Sequence, residues 1–138
     1  MILRGRSIYP GTAQGEALVS SMRISFFGGV DPETGVVLEK DHELEGQSVA
    51  GKILIFPTGK GSTVGSYTIY RLKKNRANPS AILNVHCEPI TAVGCILAEI
   101  PCIDQIEIEK FKTGMFLHVN ADIGAIEIIQ NDDLKPLK

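Results

Sequence analysis

The chain has 138 residues, of which 43% are hydrophobic and 22% charged, long enough for one domain with its own core and too apolar for disorder. Fourteen Lys and Arg against sixteen Asp and Glu give a formal charge of −2, which supplies no electrostatic reason to expect nucleic acid or an anionic membrane as a partner. No apolar run approaches a membrane span and no cleavable leader is recognisable, so a cytoplasmic protein is expected, with residues 1–130 forming a single domain and 131–138 a polar tail that frays.

Residues 2–9 and 15–20 read as short strands separated by Pro10 and Gly11, a pattern that predicts a hairpin-like start. The loop Ile24 to Gly35 follows. It sets Phe26 and Phe27 against Gly28 and Gly29, and its Asp31-Pro32-Glu33-Thr34-Gly35 run is turn chemistry, with proline fixing φ and aspartate bonding its own backbone. Phe26 and Phe27 are either core anchors or an apolar patch offered to another chain. The charged stretch beyond contains His42, read as a solvated or loop-tethering histidine.

Lys52 to Phe56 is a strand, and Tyr67, Ile69, Tyr70 and Leu72 recur at helical spacing ahead of the basic end Arg71, Lys73, Lys74 and Arg76, which predicts a helix over 64–75. Between them lies Pro57-Thr58-Gly59-Lys60-Gly61-Ser62-Thr63-Val64-Gly65-Ser66. Such a turn leaves backbone N–H groups free for an anion, and the helix start adds partial positive charge. A nucleotide-binding phosphate loop of the form G-x-x-x-x-G-K-S/T does not fit, because Leu54 stands where glycine is needed and Gly61 where Ser or Thr is needed. On local grounds Ser62 is either a helix cap or a hydroxyl presented to a ligand.

Asn75 to Pro79 ends that helix. Ala81 to Val85 is a buried strand, Pro89 to Ala98 a helix with proline in its first turn, Pro101 to Ile103 a short apolar segment, and Gly114 to Val119 and Gly124 to Ile129 two strands meeting at a turn. The alternation predicts an α/β domain with a mixed sheet or barrel-like strands and flanking helices. The glycine-rich turns at 28–29, 59–65 and 94 are expected to gather where strands feed helices. Cys87, Cys95 and Cys102 lack C-x-x-C spacing and read as buried reduced thiols, with no metal site expected in this chain.

Taken together, Ser25 to Gly35 (SFFGGVDPETG), Glu45 to Lys52 (EGQSVAGK) and Phe56 to Ser66 (FPTGKGSTVGS) resemble the swivelling-domain subunit of the aconitase X family, with a match covering most of the chain. The resemblance implies a swivelling β/β/α domain that pairs as a heterodimer with a separate, aconitase-like large catalytic subunit carrying an iron–sulfur (4Fe-4S) cluster. For the archaeal members it implies dehydration of (R)-5-phosphomevalonate to trans-anhydromevalonate 5-phosphate in a modified mevalonate route to isoprenoids. It also implies that Ser62, at the family's Gly-x-Gly-Ser turn, is the proton-accepting base, with Gly59, Lys60, Gly61, Thr63, Gly65 and Ser66 around the small anionic substrate and Gly28, Gly29 and Asp31 on a loop facing it. Two other readings stand beside this one: another dehydratase of the family, such as one acting on cis-3-hydroxyproline, and a non-catalytic module that holds an anion at the glycine-rich turn.

Overall fold

A computed structural model describes residues 1–129, so the polar tail from 131 to 138 lies outside the described residues. Eight strands form one mixed sheet in the order β1-β8-β7-β3-β4-β5-β6-β2. They are β1 (Ile2–Arg4), β2 (Arg6–Tyr9), β3 (Thr12–Val19), β4 (Ile53–Phe56), β5 (Ala81–Asn84), β6 (Cys102–Asp104), β7 (Phe116–Asn120) and β8 (Ala125–Ile129). Two helices, α1 (Val64–Lys74) and α2 (Pro89–Ala98), connect β4 to β5 and β5 to β6. The β3 to β6 strands run parallel, and β7, β8, β1 and β2 join antiparallel. Because β1 and β2 occupy opposite edges and only Gly5 separates them, the sheet has to curl towards closure. Its curl matches the expected barrel-like strands.

Strand alternation divides the core in two. Along β4, Ile53 and Ile55 face the inside of the curled sheet with Ala17, Leu83, Leu117, Val119 and Ile126. Leu54 and Phe56 face outward beneath the helices, with Phe26, Ile69, Leu72, Ile82 and Cys95. All four β4 side chains are fully buried, as a central parallel strand covered on both faces requires.

The helices are fixed by different chemistry at their ends. The last turn of α1 carries Arg71, Lys73 and Lys74, which complement the carbonyl end of the dipole. In α2 the Glu88 carboxylate accepts the N–H groups of Ile90 and Thr91, each at 2.8 Å, and Pro89 fills the first helical position, where no N–H is needed.

The expected amino-terminal hairpin does not form. β2 pairs with β6, and β3 lies between β7 and β4. The backbone groups of Gly11 are taken elsewhere: its N–H donates to Asp122 Oδ1 at 2.8 Å and its carbonyl accepts from Ala121. Pro10 and Gly11 therefore dock on the β7–β8 turn. Gly94 also departs from expectation, standing mid-α2, where a β-carbon would crowd Ile69 of α1. It serves the helix crossing instead of a strand-to-helix turn.

Candidate functional site

The chain leaves β4 at Phe56 and is caught at once by a distant segment. Ile24 donates its N–H to Thr58 O at 3.3 Å and accepts from Lys60 N–H at 3.0 Å, a short parallel bridge centred on Gly59. This bridge brings the Ser25–Val30 loop to the glycine-rich turn. Gly61 has φ +100°, a left-handed value that strains any residue with a side chain, and a β-carbon there would lie 2.6 Å from Ser25 Oγ. Gly59 is confined as closely, because a β-carbon on it would overlap the Glu88 carboxylate and the Thr91 hydroxyl. Both glycines are required by close approach.

Ser62 follows, exposed at the mouth of α1. Its Oγ accepts the Val64 N–H at 3.1 Å, and its carbonyl accepts the Gly65 N–H at 2.9 Å. The hydroxyl thus caps locally and faces solvent at once. Among the described residues the N–H groups of Gly61, Ser62 and Thr63 have no hydrogen-bond acceptor, which leaves three consecutive donors at a helix start. That arrangement favours an anion or a developing alkoxide. Thr63, the residue before α1, makes no side-chain cap and is exposed beside Ser62.

Lys60 reaches sideways. Its Nζ lies 3.0 Å from Glu39 Oε2, with both side chains partly exposed. Glu39 is held in turn by Gly29, whose carbonyl accepts the N–H groups of Leu38 and Glu39. A β-carbon on Gly29 would overlap the carbonyl of Ser25, whereas Gly28, at φ +79°, faces open space. Gly28 and Gly29 therefore shape the loop that meets the turn. Phe26 and Phe27 divide the two roles: Phe26 is buried edge-on against Phe56 at 5.9 Å between ring centroids, and Phe27 is exposed.

Four further residues have mainly structural contacts. Asp31 Oδ1 accepts the Glu33 N–H at 2.9 Å while its backbone bonds Gly35 and Val36, so its hydrogen bonds lie within its own turn. Ser66 is buried, its hydroxyl donating to Ile90 O at 2.6 Å, and Gly65 gives room for the Ile90 side chain. Gly65 and Ser66 join α1 to α2. His42 is buried and tethers its loop: Leu44 N–H donates to Nδ1 at 3.0 Å, and Nε2 lies 3.0 Å from Arg23 O.

Ser25, Glu39 and Glu88 were not singled out as site residues from the sequence, yet they are the groups that set the turn. The Glu88-Pro89 pair is a legible helix-cap signal. Nothing local marks Ser25 or Glu39: the Ser25 hydroxyl donates to Phe27 O but lies against the distant Gly61, and Glu39 pairs with the distant Lys60.

The three cysteines do not fit an iron–sulfur cluster. All are buried and free, with Cys87 and Cys102 Sγ 3.8 Å apart. The shared thiol hydrogen bond and burial push the Cys87 thiol far above its ordinary value, which disfavours the thiolate that ligation needs. Among the described residues no group of three or more His, Cys, Asp or Glu side chains is placed to hold a metal ion. No helix among them is long and apolar enough to cross a membrane.

With this geometry in view, a family profile described as the aconitase X swivel domain matches residues 2–128. The phosphomevalonate dehydratase small subunit of Thermococcus kodakarensis is 52% identical over 133 residues, covering 96% of this chain and all of that protein. The protein of the same name from Methanosarcina acetivorans is 53% identical over 131 residues, covering 93% of this chain and 91% of its own. Among solved structures, that of Thermococcus kodakaraensis aconitase X in its holo form superposes with a TM-score of 0.93 at 52% identity, over 94% of this chain and 99% of that one. The solution structure of a UPF0107 protein gives 0.85 at 51% identity, over 94% of this chain and all of that one.

Proposed function

This chain belongs to the aconitase X swivel-domain family, and from that membership we propose that it is the small subunit of a phosphomevalonate dehydratase. In this reading it supplies half of a site for removing water from (R)-5-phosphomevalonate to give trans-anhydromevalonate 5-phosphate in the modified mevalonate pathway. The observation that carries the proposal beyond kinship is the placement of Ser62: exposed, at a helix start, beside three free N–H groups and a lysine.

The reaction removes a proton from the carbon next to a carboxylate and a hydroxyl from the next carbon, the hydroxyl leaving as water with a proton supplied from the partner's side of the site, and a carbon–carbon double bond forms between the two carbons. Ser62 Oγ accepts the proton. A serine hydroxyl is a weak base in water, so its alkoxide needs donors arranged beforehand in a site closed to solvent. The Val64 N–H already points at Oγ, and the N–H groups of Gly61 to Thr63 and the α1 dipole add to the stabilisation. Lys60, with Gly59 and Gly61 giving it access, attracts an anionic end of the substrate. Gly28, Gly29 and Asp31 shape the loop alongside, while Gly65 and Ser66 hold α1 on α2 so that Thr63 and Ser62 stay at the mouth.

Because the face around Ser62 is open, closure has to come from another chain, the larger partner subunit. The 4Fe-4S cluster, for which this chain offers no thiolate set, is assigned to that partner, and the small chain alone is inactive. The test combines the purified chain with the large subunit and offers 5-phosphomevalonate and cis-3-hydroxyproline separately. Turnover of the first substrate alone, and only with both chains present, is the expected result. Turnover of hydroxyproline, or undiminished activity of the large chain alone, overturns the assignment.

A further inference from the structure

The outer faces of α1 and α2 carry an apolar surface that no described part of this chain covers. α2 has no charged residue along its ten positions, and Val93, Ile96 and Leu97 are 46%, 51% and 45% exposed. On α1, Tyr67 is 64% exposed and Val64 42%. A groove of about 300 Å³ runs between the helices, lined by Thr63, Ser66, Tyr67, Ile90, Val93 and Leu97. Single exposed apolar side chains are ordinary on a protein surface, but a contiguous set on a charge-free helix marks a contact face.

Two observations identify the occupant. The groove starts at Thr63, one residue after Ser62, and exposed Phe27 flanks the same end of α1, its backbone N 3.7 Å from where a Gly65 β-carbon would stand. A chain that closes over Ser62 meets this face at its Thr63 end. At the other end, Arg71 and Lys74 follow Tyr67 at spacings of four and three residues, with Lys74 Nζ over the Tyr70 ring at 5.8 Å, and between its caps neither helix bears an acidic residue, Glu88 and Glu99 standing at the two ends of α2. The covering surface needs an apolar ridge with carboxylates at one end.

We infer that the α1–α2 face is the docking surface for the larger subunit, with an apolar ridge seated between Tyr67 and Leu97 and carboxylates facing Arg71 and Lys74. The inference rests on the reading of this chain as a small subunit. Complementarity of this kind fixes register through the charges and affinity through the buried apolar centre.

The test measures binding of the source organism's aconitase X large subunit to the wild-type chain, to Val93→Glu/Leu97→Glu, and to the control Ile2→Glu/Ile123→Glu. The control changes side chains 58% and 61% exposed on β1 and on the β7–β8 turn. The expected result is a Kd at least tenfold weaker for the first variant and unchanged for the control, with the melting temperature of each isolated chain unaltered. Hydrogen exchange on the wild-type complex gives a second readout that needs no substitution, with protection expected over 64–71 and 89–97. Wild-type binding that survives the Val93/Leu97 change, or a complex without that protection, overturns the inference and leaves the subunit reading standing. Self-association of the isolated chain that those changes abolish while large-subunit binding persists also overturns it. Absence of binding by the wild-type chain defeats the subunit reading itself.

Discussion

Gly59 packs so tightly against Glu88 that a β-carbon on the glycine would overlap the glutamate carboxylate. The same carboxylate caps α2 through Ile90 and Thr91, so the α2 start and the Ser62 turn share one support. Gly59→Ala must displace either the cap or the turn. The expected cost is about 1–3 kcal/mol, combining cap loss with local strain. Thermal unfolding checks the stability, and kcat of the assembled enzyme should fall with it, because moving the turn moves Ser62.

Lys60 is already paired with Glu39, so an anionic substrate has to share its ammonium group. Both side chains are partly exposed, and the pair itself is worth at most about 1 kcal/mol. Glu39→Gln is expected to leave the melting temperature nearly unchanged and to lower KM severalfold. Lys60→Ala should raise KM about tenfold, equivalent to about 1.4 kcal/mol of binding. Steady-state kinetics at fixed ionic strength separates the two effects.

Acid should unfold the chain through identifiable carboxylates. Burial pushes the Asp104 carboxyl up, but the Arg6 guanidinium, bonded at 2.9 and 2.8 Å, and the Cys87 N–H outweigh it and hold the group below its ordinary value of 3.8. Glu43 is held below its ordinary 4.5, chiefly by the Ser20 hydroxyl. A depressed folded value means stability that is fully present above the unfolded value and lost as pH falls through the folded one. Melting temperature should therefore be flat above about pH 5 and fall below about pH 4, on the reference scale of free carboxyls. Asp104→Asn should cost about 1–3 kcal/mol at neutral pH and flatten that acid limb, since its Arg6 and Cys87 bonds weaken together.

These pairings show what was legible in the sequence. The α1 and α2 helices and the β4 strand were readable because Ile69 with Leu72, Pro89 in a first turn and the Ile53 to Phe56 run are local patterns. The turn around Ser62 was readable for the same reason. Strand partners were not: Pro10-Gly11 looks like a hairpin closure, and only the distant Ala121 and Asp122 reveal that it docks elsewhere. Ser66 shows the same limit, since a serine on a predicted helix carries no mark that its hydroxyl will meet Ile90 O across a helix crossing. Glu39 and Ser25 escaped notice because their effect on the turn exists only once the loop has folded against it.

The thiols offer an independent check. Cys87, Cys95 and Cys102 are buried, and the contacts of Cys87 disfavour its thiolate. The native isolated chain at pH 8 should resist iodoacetamide over a period that fully alkylates the guanidinium-unfolded chain, as read by intact mass. Anaerobic incubation with ferrous iron and sulfide should leave the isolated chain without bound iron. Iron retention by the small chain would move the cluster away from the proposed partner.

The role of Ser62 as the base is open to direct test. The measurement is kcat for dehydration of 5-phosphomevalonate by the large subunit assembled with Ser62→Ala, alongside the Kd of assembly. Removing a general base is worth about 10² to 10⁴ in rate, and the exposed hydroxyl makes only one local bond, to Val64 N–H. The expected result is a loss of at least about a hundredfold in kcat with assembly unchanged. A variant that assembles normally and turns over at the wild-type rate would contradict it.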